Sequence, residues 1–275
     1  MDRLQIKLGL CLAANLYLRP LYYPNFSLVN HYQNPNVLNI PGYEVYFTRY
    51  ADAILQEKFP DARQDLETVF TQFRFAENKI IGGGGRMSEI TKSLGALLVN
   101  EHWKPQTRKT ELFLEGRSMS RETIKLDHLR TFRGTDLAVK ILWNSKDSLF
   151  DKYLDDFRKL HHAGGLAIGI MVTRGKTLRE DMFFVYQRFL QTQLPLNVEK
   201  LKGPLTLSQK HYEEIADMIE AQGDGAINSI ANLMTGSKFG TTTTHIEKLI
   251  DKLDGRAGDP CPLILIGIGK DRLLS

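Results

Sequence analysis

The sequence predicts an α/β fold, a mixed central sheet flanked by helices and preceded by a mostly helical N-terminal lobe. Three observations predict it. Residues 166–172, LAIGIMV, are apolar without a break, which marks a strand buried on both faces. Residues 137–143, LAVKILW, form a second such strand with one lysine at its centre. Between them Phe150, Leu154, Phe157 and Leu160 recur at helical spacing, so 148–163 is an amphipathic helix that Gly164 and Gly165 end. Strand, helix and strand in that order form a right-handed crossover in a sheet covered by helices.

The other elements follow in chain order. Residues 1–81 mix aromatic and Asn/Pro-rich segments with helical patterning at 52–59 and 66–75, and are expected to be mostly helical. The glycines at 82–85 interrupt the chain. Apolar residues at Met87, Ile90, Leu94, Leu97 and Leu98 then predict a helix ending near Asn100. The tetraglycine lacks the Lys-Ser/Thr that completes a phosphate-binding loop, so a connector is expected there. Short alternating segments at 110–115 and 122–129, divided by Gly116, Arg117 and Ser118, predict a strand pair. Helices are expected at 177–192 and 208–222. A polar loop from Gly236 to His245 then leads into a short helix to Leu253, and 262–268, PLILIGI, is a last buried strand. The expected division is 1–81 and 82–275, the second being one compact unit.

With 275 residues, 42% of them hydrophobic, the chain can bury a large core without disulfide staples. Its two cysteines, Cys11 and Cys261, are far apart and form no metal-type cluster, which fits a cytoplasmic protein. The apolar run 8–16 is short and continues into Tyr17, Leu18 and Arg19, so a core helix is expected there rather than a signal peptide, and no membrane association. A net charge of +4 and a pI near 8.9 permit a polyanionic partner without requiring one. The adjacent His161 and His162 read as the end of a helix, where cations are favoured, rather than as metal ligands. There is no dinucleotide fingerprint and no nucleophile-triad pattern.

The lysine in the second strand carries the chemistry. Side chains alternate along a strand, so Ala138, Lys140 and Leu142 share one face. A buried, unpaired ammonium costs several kcal/mol, so a partner is expected. Asp127, on the preceding strand, is the favoured one and Asp136 its competitor. An acid and a lysine on neighbouring strands fit a metal-dependent nuclease site or a structural ion pair.

Several segments in order carry a resemblance: IKLDHLR, WNSKDSLFDKYLDDFRKL, GLAIGIMVTRG and GSKFGTTTTHIEKLIDKL, then CPLILIGIG. Together, over roughly 82–269, they resemble the BglII/BamHI-like branch of type II restriction endonucleases. The resemblance implies a PD-(D/E)xK nuclease core, Mg²⁺-dependent hydrolysis of both strands of a short double-stranded DNA site, a homodimer, and a prokaryotic restriction-modification setting. It places Asp127 at the metal-binding aspartate and Glu89 at an auxiliary acid. Relatives carry an acid, a spacer and a polar residue just before Trp-Asn; this chain has Lys140, Ile141 and Leu142. A cation there opposes Mg²⁺, so cleavage is expected to be weak or absent. Either this copy is disabled, or another acid, such as Glu89 or Asp136, serves a displaced site.

For DNA contact the candidates are Asn144 and Lys146 after the lysine-bearing strand, Arg174 after the next, and Lys238, Thr243 and His245 in the threonine-rich loop. The plain alternatives are surface lysines and a helix cap at Thr243 or Thr244. Two functions therefore compete: a type II site-specific deoxyribonuclease, and a non-catalytic DNA-binding protein on a decayed nuclease core.

Overall fold

The computed structural model describes residues 32–82, 88–255 and 257–274. Cys11, the apolar run 8–16 and the glycines at 83–85 lie outside them.

The chain enters through strand β1 (Tyr43–Phe47), helices α1 (Ala51–Lys58) and α2 (Pro60–Gln72), the short β2 (Phe75–Ala76) and α3 (Asn78–Ile81). Helix α4 (Glu89–Asn100) starts on Ser88, whose hydroxyl accepts from the Thr91 N–H at 3.1 Å, an N-cap of the usual kind. Strands β3 (Lys104–Leu114), β4 (Arg117–Phe132) and β5 (Thr135–Leu142) follow as a meander. Its two-residue turns, Glu115-Gly116 and Arg133-Gly134, hold positive φ at every position (49° and 76°, 51° and 83°), matching the right-handed twist of the strands they join. Then come α5 (Ser148–His162), β6 (Leu166–Arg174), α6 (Lys176–Thr192), α7 (Val198–Lys202), α8 (Gln209–Gln222), α9 (Ile227–Phe239), α10 (Ile246–Asp254), β7 (Leu263–Ile268) and the short β8 (Leu273–Leu274).

The main sheet has the order β1-β7-β6-β5-β4-β3. It is mixed, because β5, β6 and β7 are mutually parallel while β1, β4 and β3 pair antiparallel. One face packs against α1, α2, α4, α6 and α9 through Leu137, Val139 and Ile141 of β5 and Trp143 just after it; the other packs against α5 and α10 through Ala138 and Leu142. Phe150, Leu154, Phe157 and Leu160 are all buried, and each such side chain stabilises the fold by about 1.5–3 kcal/mol. Helix α5 lies so close to the sheet that a Cβ at Gly169 would stand 2.4 Å from the Phe157 ring, which requires glycine there. Among the described residues no helix is long and apolar enough to cross a membrane.

Three expectations change. Residues 43–47 form an edge strand hydrogen-bonded to β7, so the central sheet draws on the chain before Gly82 as well as after it. The strand pair is longer than the alternating segments suggest, because its solvent face carries Lys, Thr and Arg instead of apolar residues. Gly236 to Phe239 belong to the last turn of α9, which leaves Gly240 to His245 as the loop.

Candidate functional site

Lys140 is 1% exposed, and its Nζ lies 3.3 Å from Asp127 Oδ2, donates to the Lys125 carbonyl at 2.7 Å and sits 4.4 Å above the Tyr153 ring. The partner expected for the buried ammonium is therefore in place. The competitor, Asp136, is committed elsewhere: it accepts from Arg108 Nε at 2.7 Å and from the Thr131 hydroxyl at 2.6 Å.

A local irregularity brings Asp127 there. Gln106 pairs with Leu126 and Lys104 with Leu129, so a step of two on β3 faces a step of three on β4. This is a β-bulge, and it turns Leu126 and Asp127 to one side, so that the acid stands beside Lys140 while Ile124 and Leu126 join the core against α5. Pro105, opposite the bulge on the edge strand, has no N–H to leave unpaired. The β4–β5 register ends at His128 with Val139, so β4 parts from β5 beside Lys140. The freed carbonyl of Leu142 accepts instead from the hydroxyls of Thr173 at 2.9 Å and Thr244 at 2.7 Å.

An open recess of about 410 Å³ lies against α4, lined by Thr91, Lys92, Gly95, Pro105, Asp127 and His128 among others. His128 is buried and burial lowers its pKa, so it stands neutral at pH 7, with its Nδ1 lacking a partner among the described residues. Glu89 does not reach this recess. It lines another, with Asn78, Lys79, Ile81, Phe189 and Pro204.

The donor set does not fit Mg²⁺. A divalent cation needs several oxygen ligands and open positions for water and phosphate. Here the face opposite Asp127 carries an ammonium, Leu142 is 3% exposed, and Phe150, Leu154 and Phe157 of α5 fill the space over it. Asp156, the other acid that interacts with Lys140, is half-buried and burial raises its pKa against the pull of Lys152 and Lys140. Among the described residues no three His, Cys, Asp or Glu side chains are grouped to hold a metal ion.

The two loops singled out for DNA contact form one plate. The Asp147 N–H donates to the Thr242 carbonyl at 3.0 Å, the Thr244 N–H to the Ser145 carbonyl at 2.9 Å, and Lys146 bridges Thr243. Lys146, Thr241 and Thr242 are exposed on it. Asn144 donates to the Lys238 carbonyl at 2.9 Å, and its Oδ1 is buried without a partner among the described residues. Lys238 is half-buried and donates to the Thr206 carbonyl.

Arg174 does not reach the surface of the protein. It is fully buried, with its guanidinium 4.7 Å from the Phe239 ring centre, and donates to Thr243 Oγ1 at 2.6 Å and to the Thr244 carbonyl at 3.0 Å. Burial, then Arg179, pull its pKa down to about 9, and it remains charged at neutral pH without an ion pair among the described residues. It clamps the threonine loop. His245 is buried too, its Nδ1 3.6 Å from Glu247, and burial together with Arg179 and Arg174 lowers its pKa to about 4. It occupies the N-cap of α10 without a side-chain cap bond, so neither Thr243 nor Thr244 is that cap.

The sequence reading missed Tyr153, Thr244 and His128. Tyr153 stands three residues after Phe150 on the apolar stripe of α5, which was a legible signal; the roles of Thr244 and His128 depend on contacts far along the chain.

No curated protein shows significant similarity to the chain. A family model described as restriction endonuclease BglII/BglIII matches residues 43–268, from the first residue of β1 to the last of β7. That span holds the bulged strand, the lysine-bearing strand, the crossover and both loops. The chain belongs to the BglII/BglIII family of type II restriction endonucleases.

Proposed function

We propose that this chain binds a short double-stranded DNA site as a homodimer and that its cleavage centre is disabled, Lys140 and Leu142 standing where relatives carry an acid and a polar residue. The observation that carries the reading is the ion pair of the buried Lys140 with Asp127 at 3.3 Å, with Leu142 packed in the apolar cluster of α5 beside it. In the family's chemistry Mg²⁺ would polarise a phosphate oxygen and lower the pKa of an attacking water. In this chain Lys140 pairs with the Asp127 carboxylate, and Leu142 has no polar atom with which to orient a water. A displaced centre is not favoured, since Asp136 is held by Arg108 and Thr131, and Glu89 lines a different recess.

DNA contact falls to the plate formed by the two loops. Lys146 and the hydroxyls of Thr241 and Thr242 meet phosphates, while Asn144, Lys238 and Thr243 hold the plate together and Arg174 and His245 support it from below. A palindromic site calls for two such plates related by a twofold axis. The protein would act in the cytoplasm of a prokaryotic cell, beside the modification enzyme of a restriction system.

The test is selection of bound duplexes from a random pool, followed by binding and cleavage on the selected duplex with and without Mg²⁺ or Mn²⁺, with the mass of the complex measured. The expected result is two chains per selected duplex and no strand scission. Scission by the unaltered chain would overturn the disabled centre, and one chain per palindromic duplex would overturn the dimer.

A further inference from the structure

Beyond the bulge at Asp127, β3 and β4 pair only with each other and form a two-stranded ribbon closed by the Glu115-Gly116 turn. The ribbon folds over the α5 side of the sheet. Ile124 and Leu126 enter the core there, Arg108 reaches Asp136, and Glu122 pairs with Lys159 of α5 at 2.6 Å. The inward-facing Arg108 and Glu122 are thus both compensated.

The outward face differs. Thr107 pairs with Lys125, Lys109 with Thr123 and Glu111 with Arg121, and all six are exposed. Glu111 is neutralised by Arg121 at 2.6 Å. Among the described residues Lys109 and Lys125 are exposed there and make no ion pair, Arg117 is exposed beside the turn, and the remaining acid, Glu115, sits at the turn. Six cations against three acids give residues 104–125 a net charge of +3, most of the +4 that the chain carries. A positive row with interspersed threonines fits a phosphate backbone, and a two-stranded ribbon has the dimensions of the DNA major groove.

We infer that the outward face of the β3–β4 ribbon is a second DNA-contacting surface, with Lys109 and Lys125 on phosphates. The inference rests on the DNA-binding reading above and adds a surface to it. Lys125 stands next but one to Asp127, so the row continues from the edge of the disabled centre. The ribbon holds the duplex electrostatically, and sequence is read elsewhere.

The test measures binding of the selected duplex against salt for the parent chain, for K109Q/K125Q, and for K58Q/K200Q. The last set removes the same charge from exposed lysines on α1 and α7. The ribbon variant should lower the slope of log K against log salt by about two, since each phosphate contact contributes about 0.9, and should weaken binding at least tenfold at low salt. The control set should leave the slope within about half a unit. Equal slopes for parent and ribbon variant would overturn the ribbon surface while leaving the binding reading intact. A ribbon variant that changes oligomeric state with no change of slope would assign the face to a second copy of the chain and overturn it also. A parent chain that binds no duplex would remove the binding reading and the ribbon inference together.

Discussion

Replacing Lys140 with glutamate should make the protein depend on a divalent cation for part of its stability. The ammonium and the Asp127 carboxylate are 3.3 Å apart, a gross attraction of about 5 kcal/mol at an effective dielectric constant near 20. Glutamate turns that attraction into repulsion. Asp127 keeps 25% of its side chain exposed and can relax toward water, so the net loss in EDTA should be about 3 kcal/mol, the lower end for breaking a buried pair. For a chain of this size that is a fall in Tm of roughly 6–12 °C. If the two carboxylates then hold Mg²⁺ with a Kd near 0.1 mM, 10 mM Mg²⁺ returns about 2.7 kcal/mol. Thermal melts of the parent, Lys140→Glu and Lys140→Met in EDTA and in Mg²⁺ separate the effects. The methionine variant should lose stability without a response to Mg²⁺, the parent should shift by less than about 1 °C, and only the glutamate variant should regain stability and begin to cut the selected duplex. A folded, DNA-binding Lys140→Glu chain that ignores Mg²⁺ in both assays would refute the reasoning. Leu142 is left alone, because a second carboxylate 3% exposed against α5 would add its own desolvation penalty.

Two further outcomes concern the loops. Arg174→Met removes a buried cation that has no anionic partner among the described residues, so Tm should change by less than about 4 °C. Duplex affinity should still fall at least tenfold with an unchanged salt slope, because the residue positions the threonine loop without touching phosphate, and Arg174→Lys should not rescue it, lacking the planar fork; calorimetric titration across salt concentrations checks both. His245, with its pKa lowered to about 4, is neutral in the folded state at neutral pH. Its contribution is complete above the unfolded value near 6.5 and is lost as pH falls from there to about 4, a change of about 3 kcal/mol. His245→Asn should flatten that limb of the urea-midpoint profile between pH 6.5 and 4, and a parallel decline in both proteins would refute the assignment.

Much of the fold was legible where one residue class repeats at one period. The stripe of Phe150, Leu154, Phe157 and Leu160, the unbroken run at 166–172 and the caps around them fix α5 and β6 to within a residue or two. Strand β1 was not legible in that way. Its YEVYF alternates weakly, and what holds it is β7, more than two hundred residues later. At the candidate site the interruption by Lys140 led to the right neighbour, since an ammonium in an apolar strand demands a counter-charge and Asp127 is on the adjacent strand. Arg174 could not be read the same way. A positive charge at a strand end looks like a phosphate ligand until the Thr243 and Thr244 acceptors around it are known.

The proposed loss of the cleavage centre and the buried lysine share one structural cause. The extra residue in β4 turns Asp127 to the side where Leu126 already points, and the ribbon beyond it carries Ile124 onto α5, so the acid arrives together with an apolar cover. A strand partner that exposed both acid positions to a phosphate would have to leave that cover open. With Lys140 in place the opposite holds: the ammonium joins the Asp127 carboxylate, the Lys125 carbonyl and the Tyr153 ring, and thereby ties β5, the ribbon and α5 together at one point. On the proposed reading, the residue that stands in a metal ligand's place also locks the ribbon down. A loss of cleavage need not then loosen the proposed DNA-binding surfaces, because the loop plate is organised by Arg174 and Thr244 at the far ends of β5 and β6, through contacts that Lys140 does not share.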